Sequence, residues 1–435
     1  MAELPSDCDV AIIGAGAAGL ATAIFARRED PALGVVVLDG AAKPGAKILV
    51  SGGSRCNVTN AAVTEGDFWG GRRTTIRRVL RGLSVDETVS LFSDLGVCLH
   101  EEAGGKLFPD SNKARDVLDA LLRGVEHAGA RLIAGTRVAS VRREDKGFAL
   151  ETSRGPVRAR AVVLATGGRS LPKTGSDGAG YTFARALGHT LVPQTPALAP
   201  LVLDPDTPYS IHADLSGIAV DGEITVWIDG AIATRLTGAL LWTHFGISGP
   251  LVLNTSRHWA RARVEQRGVR LTLNLHPRER FEDVDARWLR NAAARPRATV
   301  RGTLATELPD TLASAVLRVL DIHPERQLAD LTRDDRRRLV HALTEWPLPV
   351  TDTRGYNYAE VTAGGVDLAE IDPASMESRI CPGLFLVGEI LDVDGRIGGF
   401  NFQWAWSSAR LAGRALGVRA RDGAGRLRTA SAPDS

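Results

Sequence analysis

Short apolar runs separated by glycine-rich turns set the pattern of this chain. Val-Ala-Ile-Ile at 10–13 meets Gly14, Gly16 and Gly19, and the chain continues into an Ala- and Leu-rich stretch at 17–27. A second apolar run at 35–38 stops at Asp39. Unbroken apolar runs of this length fit buried strands of a parallel sheet, and the stretch between them fits the crossover helix. Periodicity then predicts amphipathic helices at 74–81 and 85–95. It also predicts a strand, turn and helix over 104–122, with Ser111 or Asn112 as N-cap. Residues 131–160 alternate like a meander and lead into a buried strand, 161–165, which ends at Thr166-Gly167-Gly168. A helix is predicted over 177–187, stopped by Gly188. Between these elements, KPGAKILVSGGSRCNVTN (43–60) is polar and glycine-rich and reads as a functional loop.

From 195 the texture changes. Proline-rich turns separate β-leaning runs such as 223–228 and 269–275, and 281–346 is Ala/Leu/Arg-rich with a helical period broken at Pro296, Pro309 and Pro324. An apolar strand returns at 383–388, followed by a glycine-rich turn and a helix starting near Asn401. The expected division is a nucleotide-binding domain over 1–194, a β-rich insertion over 195–280 and a helical subdomain over 281–346. The first domain then resumes over 347–416, and 417–435 is expected to be a disordered tail.

Length and charge narrow the classes. A chain of 435 residues exceeds one compact core. A net charge of +2 gives no field that would point to nucleic acid or to a membrane surface. The apolar runs are too short to span a bilayer, and the N-terminus lacks the features of a secretion leader. Cys8, Cys56, Cys98 and Cys381 are dispersed with no C-x-x-C, which fits a reducing cytoplasm. Each reads as a small buried hydrophobe, with a role for Cys56 left open. The run RDDRRR at 333–338 reads as a solvated helix face carrying its own acids. No metal-ligand cluster, Walker loop or Ser/His/Asp order is legible, and no nucleic-acid or membrane partner is expected. The oligomeric state is not legible.

The glycine turn carries the first chemistry. In G-x-G-x-x-G between a strand and a helix, Gly14 permits the turn and Gly16 admits a pyrophosphate to the backbone. Gly19 lets helix and strand pack, and the N–H groups from Ala17 onward offer positive potential. Asp39 follows Gly19 by about twenty residues, where a carboxylate accepts hydrogen bonds from ribose hydroxyls. Three glycine-bearing strand ends occur, at 14–19, 165–168 and 388–399. One ligand touching all three is better explained by FAD in an extended pose than by NAD. The last helix N-terminus would then face the flavin and stabilise its reduced, anionic form.

These motifs resemble a bacterial family of FAD-dependent oxidoreductases that includes aminoacetone-oxidase-type enzymes and bile-acid 3-dehydro reductases of gut bacteria. The resemblance rests on GAGAAGLATA, SGGSRCNVTN, GGKLFPDSNKARDVLDAL, ATGGRSLPKTGSDGAGY, PALAPL, THFGISGP, VTAGGV and MESRICPGLFLVGEILDVDGRIGGFNFQWAWSSARLAG. It implies an α/β fold: a glutathione-reductase-type, Rossmann-like FAD domain with an inserted β-barrel-like domain and a small helical domain. It implies cofactor contacts from Gly14, Gly16, Ala17, Gly19 and Asp39, from Lys47, Arg55 and Asn57 in the flavin-side loop, and from the backbone of Val138 beside adenine. Thr166, Gly167, Gly388, Glu389, Asp394, Gly398, Gly399, Phe400 and Asn401 complete the set. Ser54 stands where many relatives have glycine. A looser similarity to fumarate-reductase-like flavoproteins marks Arg396, in RIGGFN, as a substrate clamp; pairing with Asp392 or Asp394 is the alternative. His244, in WTHFGISGP, is the leading proton donor, against an ordinary structural role, with Tyr356 and Tyr358 behind it. The implied reaction is reduction of a C=C bond conjugated to a carbonyl. Amine oxidation by O2 is the runner-up, and a redox-sensing or nucleic-acid-associated flavoprotein without turnover comes third. NAD(P)H has no second binding fold and would bind transiently.

Overall fold

A computed structural model describes residues 3–428. They fall into two compact units, 3–194 with 360–428, and 195–359.

The first unit is built on a mostly parallel sheet. Strand Asp7–Ile13 pairs in parallel with Val35–Leu38 on one side and Gly155–Leu164 on the other, and Val35–Leu38 pairs with Arg131–Ile133. The ten-residue strand Gly155–Leu164 does two jobs. Its first half pairs antiparallel with Gly147–Thr152, which pairs with Val138–Glu144; its second half pairs in parallel with Leu384–Leu386. Residues 131–133 therefore belong to the parallel sheet, and the meander begins at Val138. The inner strands are buried on both faces, as continuous Val/Ile/Leu runs require.

Helix Ala17–Glu29 covers one face and packs against the closing helix, Phe400–Arg428. Small residues set that approach: a Cβ on Gly413 would lie 2.6 Å from Phe25 Cβ, and one on Gly417 2.7 Å from Glu29 Cβ. The helix continues through 417–428, where a tail was expected, because Leu416 is buried and Arg419 pairs with Glu377 at 2.6 Å. The remainder of that expected tail, 429–435, lies outside the described residues.

Two local expectations change. Residues 43–60 contain a helix, Ala46–Ser54, kinked where Ser51, Gly52 and Gly53 leave helical angles. The helix Ala114–His127 starts after Lys113, not after Ser111 or Asn112, because Asn112 takes a left-handed conformation and bonds back to Pro109.

The second unit joins the β-rich and helical segments around one core. Its seven-stranded sheet has Trp346–Leu348 at one edge and Val350–Thr353 at the other. Only Pro349 separates these edges in sequence, so the sheet must curl until they adjoin, giving a barrel-like shape. Val350–Thr353 pairs with Leu201–Leu203, so the chain leaves this unit at 359/360 and not at 346/347. Helices Phe281–Ala294, Asp310–Val319 and Arg333–Thr344 bury Trp288, Leu312 and Leu339 in the same core as Ile224 and Trp242. Within the RDDRRR run, Arg336 and Arg338 pair with Asp285 and Asp335.

Candidate functional site

Three sequence-distant turns lie at the carboxyl ends of neighbouring strands in the first unit. Gly14 N–H donates to Leu38 O at 2.8 Å, Ala165 N–H to Ile13 O at 2.9 Å, and Val387 N–H to Leu164 O at 3.1 Å. This is the end of an open α/β sheet where ligands bind.

The glycines of the first turn are there for different reasons. A Cβ on Gly14 would sit 2.5 Å from Ala165 O, and one on Gly19 only 1.9 Å from Gly14 O. Those two are demanded by strand–helix packing. Around Gly16 there is nothing within 4 Å, so its missing side chain keeps open space at the helix start. Gly16 is also an N-cap with no side-chain bond, which leaves the first-turn N–H groups for a ligand. Asp39 is fixed at the lip: one carboxylate oxygen accepts Ala15 N–H at 2.7 Å, the other Ala41 N–H at 2.8 Å. In the middle turn, Gly167 has φ +69°, and the buried Thr166 hydroxyl has no partner among the described residues. Val138 heads its strand, buried opposite Thr152. Open space at Gly16, orphaned amides and an orphaned hydroxyl fit an extended dinucleotide.

At the third turn Glu389 is held from two sides. Its Oε1 accepts Thr362 N–H at 2.9 Å and its Oε2 meets Lys47 Nζ at 2.5 Å. Gly168 must be glycine here, since its Cβ would lie 2.4 Å from Thr362 Oγ1 and 2.8 Å from Glu389 Oε1. Gly388 takes φ +74° and donates to Ser408 Oγ at 3.1 Å.

The start of the closing helix is clasped by side chains. Asn401 bonds both N–H and C=O of Gly395, at 2.8 and 3.0 Å. Asn60 ties Gly398 O (3.1 Å) to Gly104 O (3.0 Å). With its amide oriented to suit its neighbours, Asn57 accepts Gly399 N–H at 3.2 Å. That N–H, expected to face the flavin, is thereby spent on Asn57. The other first-turn N–H groups are left to a ligand, as at any helix start. Asp394 is buried on a short strand whose partner is Trp69, and the Phe400 ring stands edge-on to Phe68.

Two arginines turn to acids the sequence did not indicate. Arg55 bonds both Glu102 oxygens, at 2.6 and 3.2 Å, over the Phe108 ring. Arg396 pairs with Asp67 at 2.8 Å, not with Asp392 or Asp394, and lies over Phe400. Its side chain is still 45 % exposed, so the guanidinium is oriented but open. His244 belongs to the second unit, exposed on the turn between Ala231–Thr243 and Gly246–Ser248.

Cys56 is fully enclosed, and burial pushes its thiol up to about 12, so it stays neutral and unreactive. Ser378, His189 and Glu370 form a chain with spacings of 2.9 and 2.7 Å. Ser378 is buried, however, and its oxygen accepts two backbone N–H groups, so it is a structural clasp. Sequence reasoning missed Asp67, Asn60 and Thr362. Asp67 carries no local signal, whereas Asn60 closes the SGGSRCNVTN motif and Thr362 lies within VTAGGV.

A dinucleotide turn on a parallel sheet, completed by a second glycine turn at the far end of the chain, defines an FAD-dependent oxidoreductase. The chain belongs to the family described as HI0933-like protein Rossmann domain, which matches residues 8–415. It is 33 % identical over 410 residues to a Clostridium scindens protein named 3-dehydro-bile acid delta(4,6)-reductase, covering 94 % of this chain and 99 % of the relative. It is 36 % identical over 403 residues to an Escherichia coli protein named ribosomal RNA dihydrouridine synthase, covering 92 % and 96 %. Among solved structures, the FrdA chain of E. coli quinol fumarate reductase shares the fold at 17 % identity and a TM-score of 0.50, over 99 % of this chain and 72 % of that one. Among the described residues, no helix is long and apolar enough to cross a membrane.

Proposed function

We propose that this protein reduces a C=C bond conjugated to a carbonyl, at an FAD held by the three turns. The observation that carries the reading is Arg396. It is fixed by Asp67 and Phe400 immediately before the Gly398–Gly399 turn, yet open to solvent. When a hydride reaches the carbon β to a carbonyl, negative charge collects on the carbonyl oxygen, and a pre-oriented guanidinium stabilises it there.

When bound, FAD would supply the hydride, with NAD(P)H as a transient electron donor. Gly16 and the N–H groups after it bind the pyrophosphate, and Asp39 takes the ribose. Glu389, locked by Lys47 and Thr362, bonds the ribityl chain. Arg396 orients the substrate carbonyl, and the α carbon takes up a proton to complete the reduction. The names of both relatives support one reaction class. A 3-dehydro Δ4,6 acid carries an enone, and dihydrouridine is uridine saturated across C5=C6, a bond conjugated to C4=O. Dispersed cysteines suit the cytoplasm as the place of action.

Anaerobic reduction of the bound flavin with NADPH, followed by addition of a 3-oxo-Δ4 steroid or a uridine oligonucleotide, tests this. Return of the oxidised flavin spectrum with one of these substrates, in the absence of oxygen, is expected. Reoxidation by oxygen alone, with amines accepted as substrates, overturns the reading in favour of an amine oxidase.

A further inference from the structure

Several arginines of the second unit pair with an acid, among them Arg287, Arg301, Arg318, Arg326, Arg336 and Arg338. Arg354 does not. Its guanidinium carbon lies 3.7 Å from the centre of the Tyr358 ring and 4.3 Å from that of Phe245, and among the described residues no carboxylate neutralises it. Its backbone is anchored by N–H donation to Pro200 O at 2.9 Å. Tyr358 is 51 % exposed, and the exposed His244 meets the Phe245 ring edge-on at 5.1 Å. Gly355, which turns the chain between Arg354 and Tyr358, has φ +71° and open space beside it.

Two rings hold this cation in place without spending its charge. A guanidinium fixed before binding loses little rotamer entropy on meeting an anion, and its planar fork suits phosphate. Beside it stand aromatic rings with free surface. An un-neutralised arginine next to open rings is what unpaired nucleic acid uses, a phosphodiester on the cation and a base on the ring. A small carboxylate would use the cation and leave the rings idle. The near-neutral net charge argues against a general electrostatic footprint, but a local site of this kind does not need one.

We propose that Phe245, Arg354 and Tyr358, with His244 at the edge, form a docking platform for an unpaired RNA segment, holding a phosphodiester on Arg354 and a base on Tyr358. This deepens the reduction reading by making a uridine in RNA the substrate, and it rests on that reading.

The test is binding of fluorescein-labelled single-stranded oligouridylate to the oxidised holoprotein, followed by anisotropy across a salt series. Wild type is expected to bind, and Arg354→Ala to weaken binding roughly tenfold or more, with the salt slope reduced by about 0.7. Tyr358→Ala is expected to weaken binding by roughly fivefold or more, without the slope change. FAD content and melting temperature should stay at wild-type values in both. Tyr358 is half-exposed, so its variant carries the test should Arg354→Ala fold poorly. Equal affinity in all three proteins, no binding by wild type, or full displacement of the RNA by a small carboxylate overturns the platform. Binding to the oxidised protein does not depend on flavin chemistry. A failed platform is therefore distinct from a failed reduction reading, which shows as no reoxidation by any enone or uridine.

Discussion

The first and last glycine turns bracket the same candidate cofactor but are made in opposite ways. The first is closed mainly by backbone: Gly19 packs on Gly14 O and Gly14 on Ala165 O, and the side chain that joins them, Asp39 accepting Ala15 N–H at 2.7 Å, stands at the end of the neighbouring strand. The last turn also has one packed glycine and one open glycine. A Cβ on Gly399 would lie 2.4 Å from the Thr59 backbone, whereas one on Gly398 would find nothing closer than 3.4 Å. Its shape, though, is held by side chains from far away in sequence, Asn57, Asn60 and Asp67. A turn built from neighbouring strands can be rigid by geometry. A turn held by side chains from distant segments can be tuned by substitution.

The largest expected effects separate the two kinds of glycine within the first turn. Gly19→Val places carbon inside van der Waals contact of a backbone carbonyl, which no rotamer relieves, and should abolish soluble protein. Gly16→Val should do something else. Gly16 has φ −83° and ψ −170°, angles open to any residue, and no neighbour to strike. The apoprotein should fold and melt as wild type does, while the purified protein is colourless. A yellow Gly16→Val protein with normal FAD content would show that the open space is not where the pyrophosphate lies.

The next effect belongs to the last turn. Arg396→Ala should leave FAD content and melting temperature unchanged and slow flavin reoxidation by substrate by about 10²–10³, the usual cost of one lost charge contact in the transition state. Asp67→Asn sharpens the comparison. It keeps the guanidinium charge but frees its orientation, so a smaller loss than in Arg396→Ala is expected. If Arg396→Ala instead loses flavin and turns over normally per bound FAD, the arginine is only part of the clasp.

How much could be read in advance follows the same divide. The strand at 10–13, the helix at 17–27 and the acid at 39 form a local unit, and hydrophobic period with glycine spacing marked them to within a few residues. The barrel-like insertion was legible as texture. Its boundary was not, because Val350–Thr353 looks like any polar strand until it pairs with Leu201–Leu203. The partners of Arg55 and Arg396 were missed for one reason: Glu102 and Asp67 lie in unrelated segments, and charge alone does not say which acid is near. Gln403 is the extreme case. It is a polar residue buried in the closing helix, bonded by the hydroxyls of Thr59 and Thr88 and donating to Leu83 O. Nothing in its neighbours suggests that role.

The smallest expected effect tests whether side-chain ion pairs take part in holding the loop that faces the last turn. The hydrogen bonds from Arg55, and then its charge, hold the Glu102 carboxyl below the ordinary glutamate range. A carboxyl depressed in the folded state stabilises above its unfolded pKa, about 4.3, and that stabilisation fades as pH falls through the folded value. Glu102→Gln should therefore melt slightly below wild type at neutral pH. The gap should close progressively on acidification from about pH 5 downward. It should be small throughout, because Arg55 and Glu102 are both more than a third exposed and solvent screens such pairs. The stacking of Arg55 on Phe108, 4.0 Å away, survives the substitution, so FAD content should not change. A gap that persists unaltered in acid would mean that the carboxylate does not hold Arg55, and that the loop is kept in place by Phe108 and the kinked backbone at Gly52–Gly53.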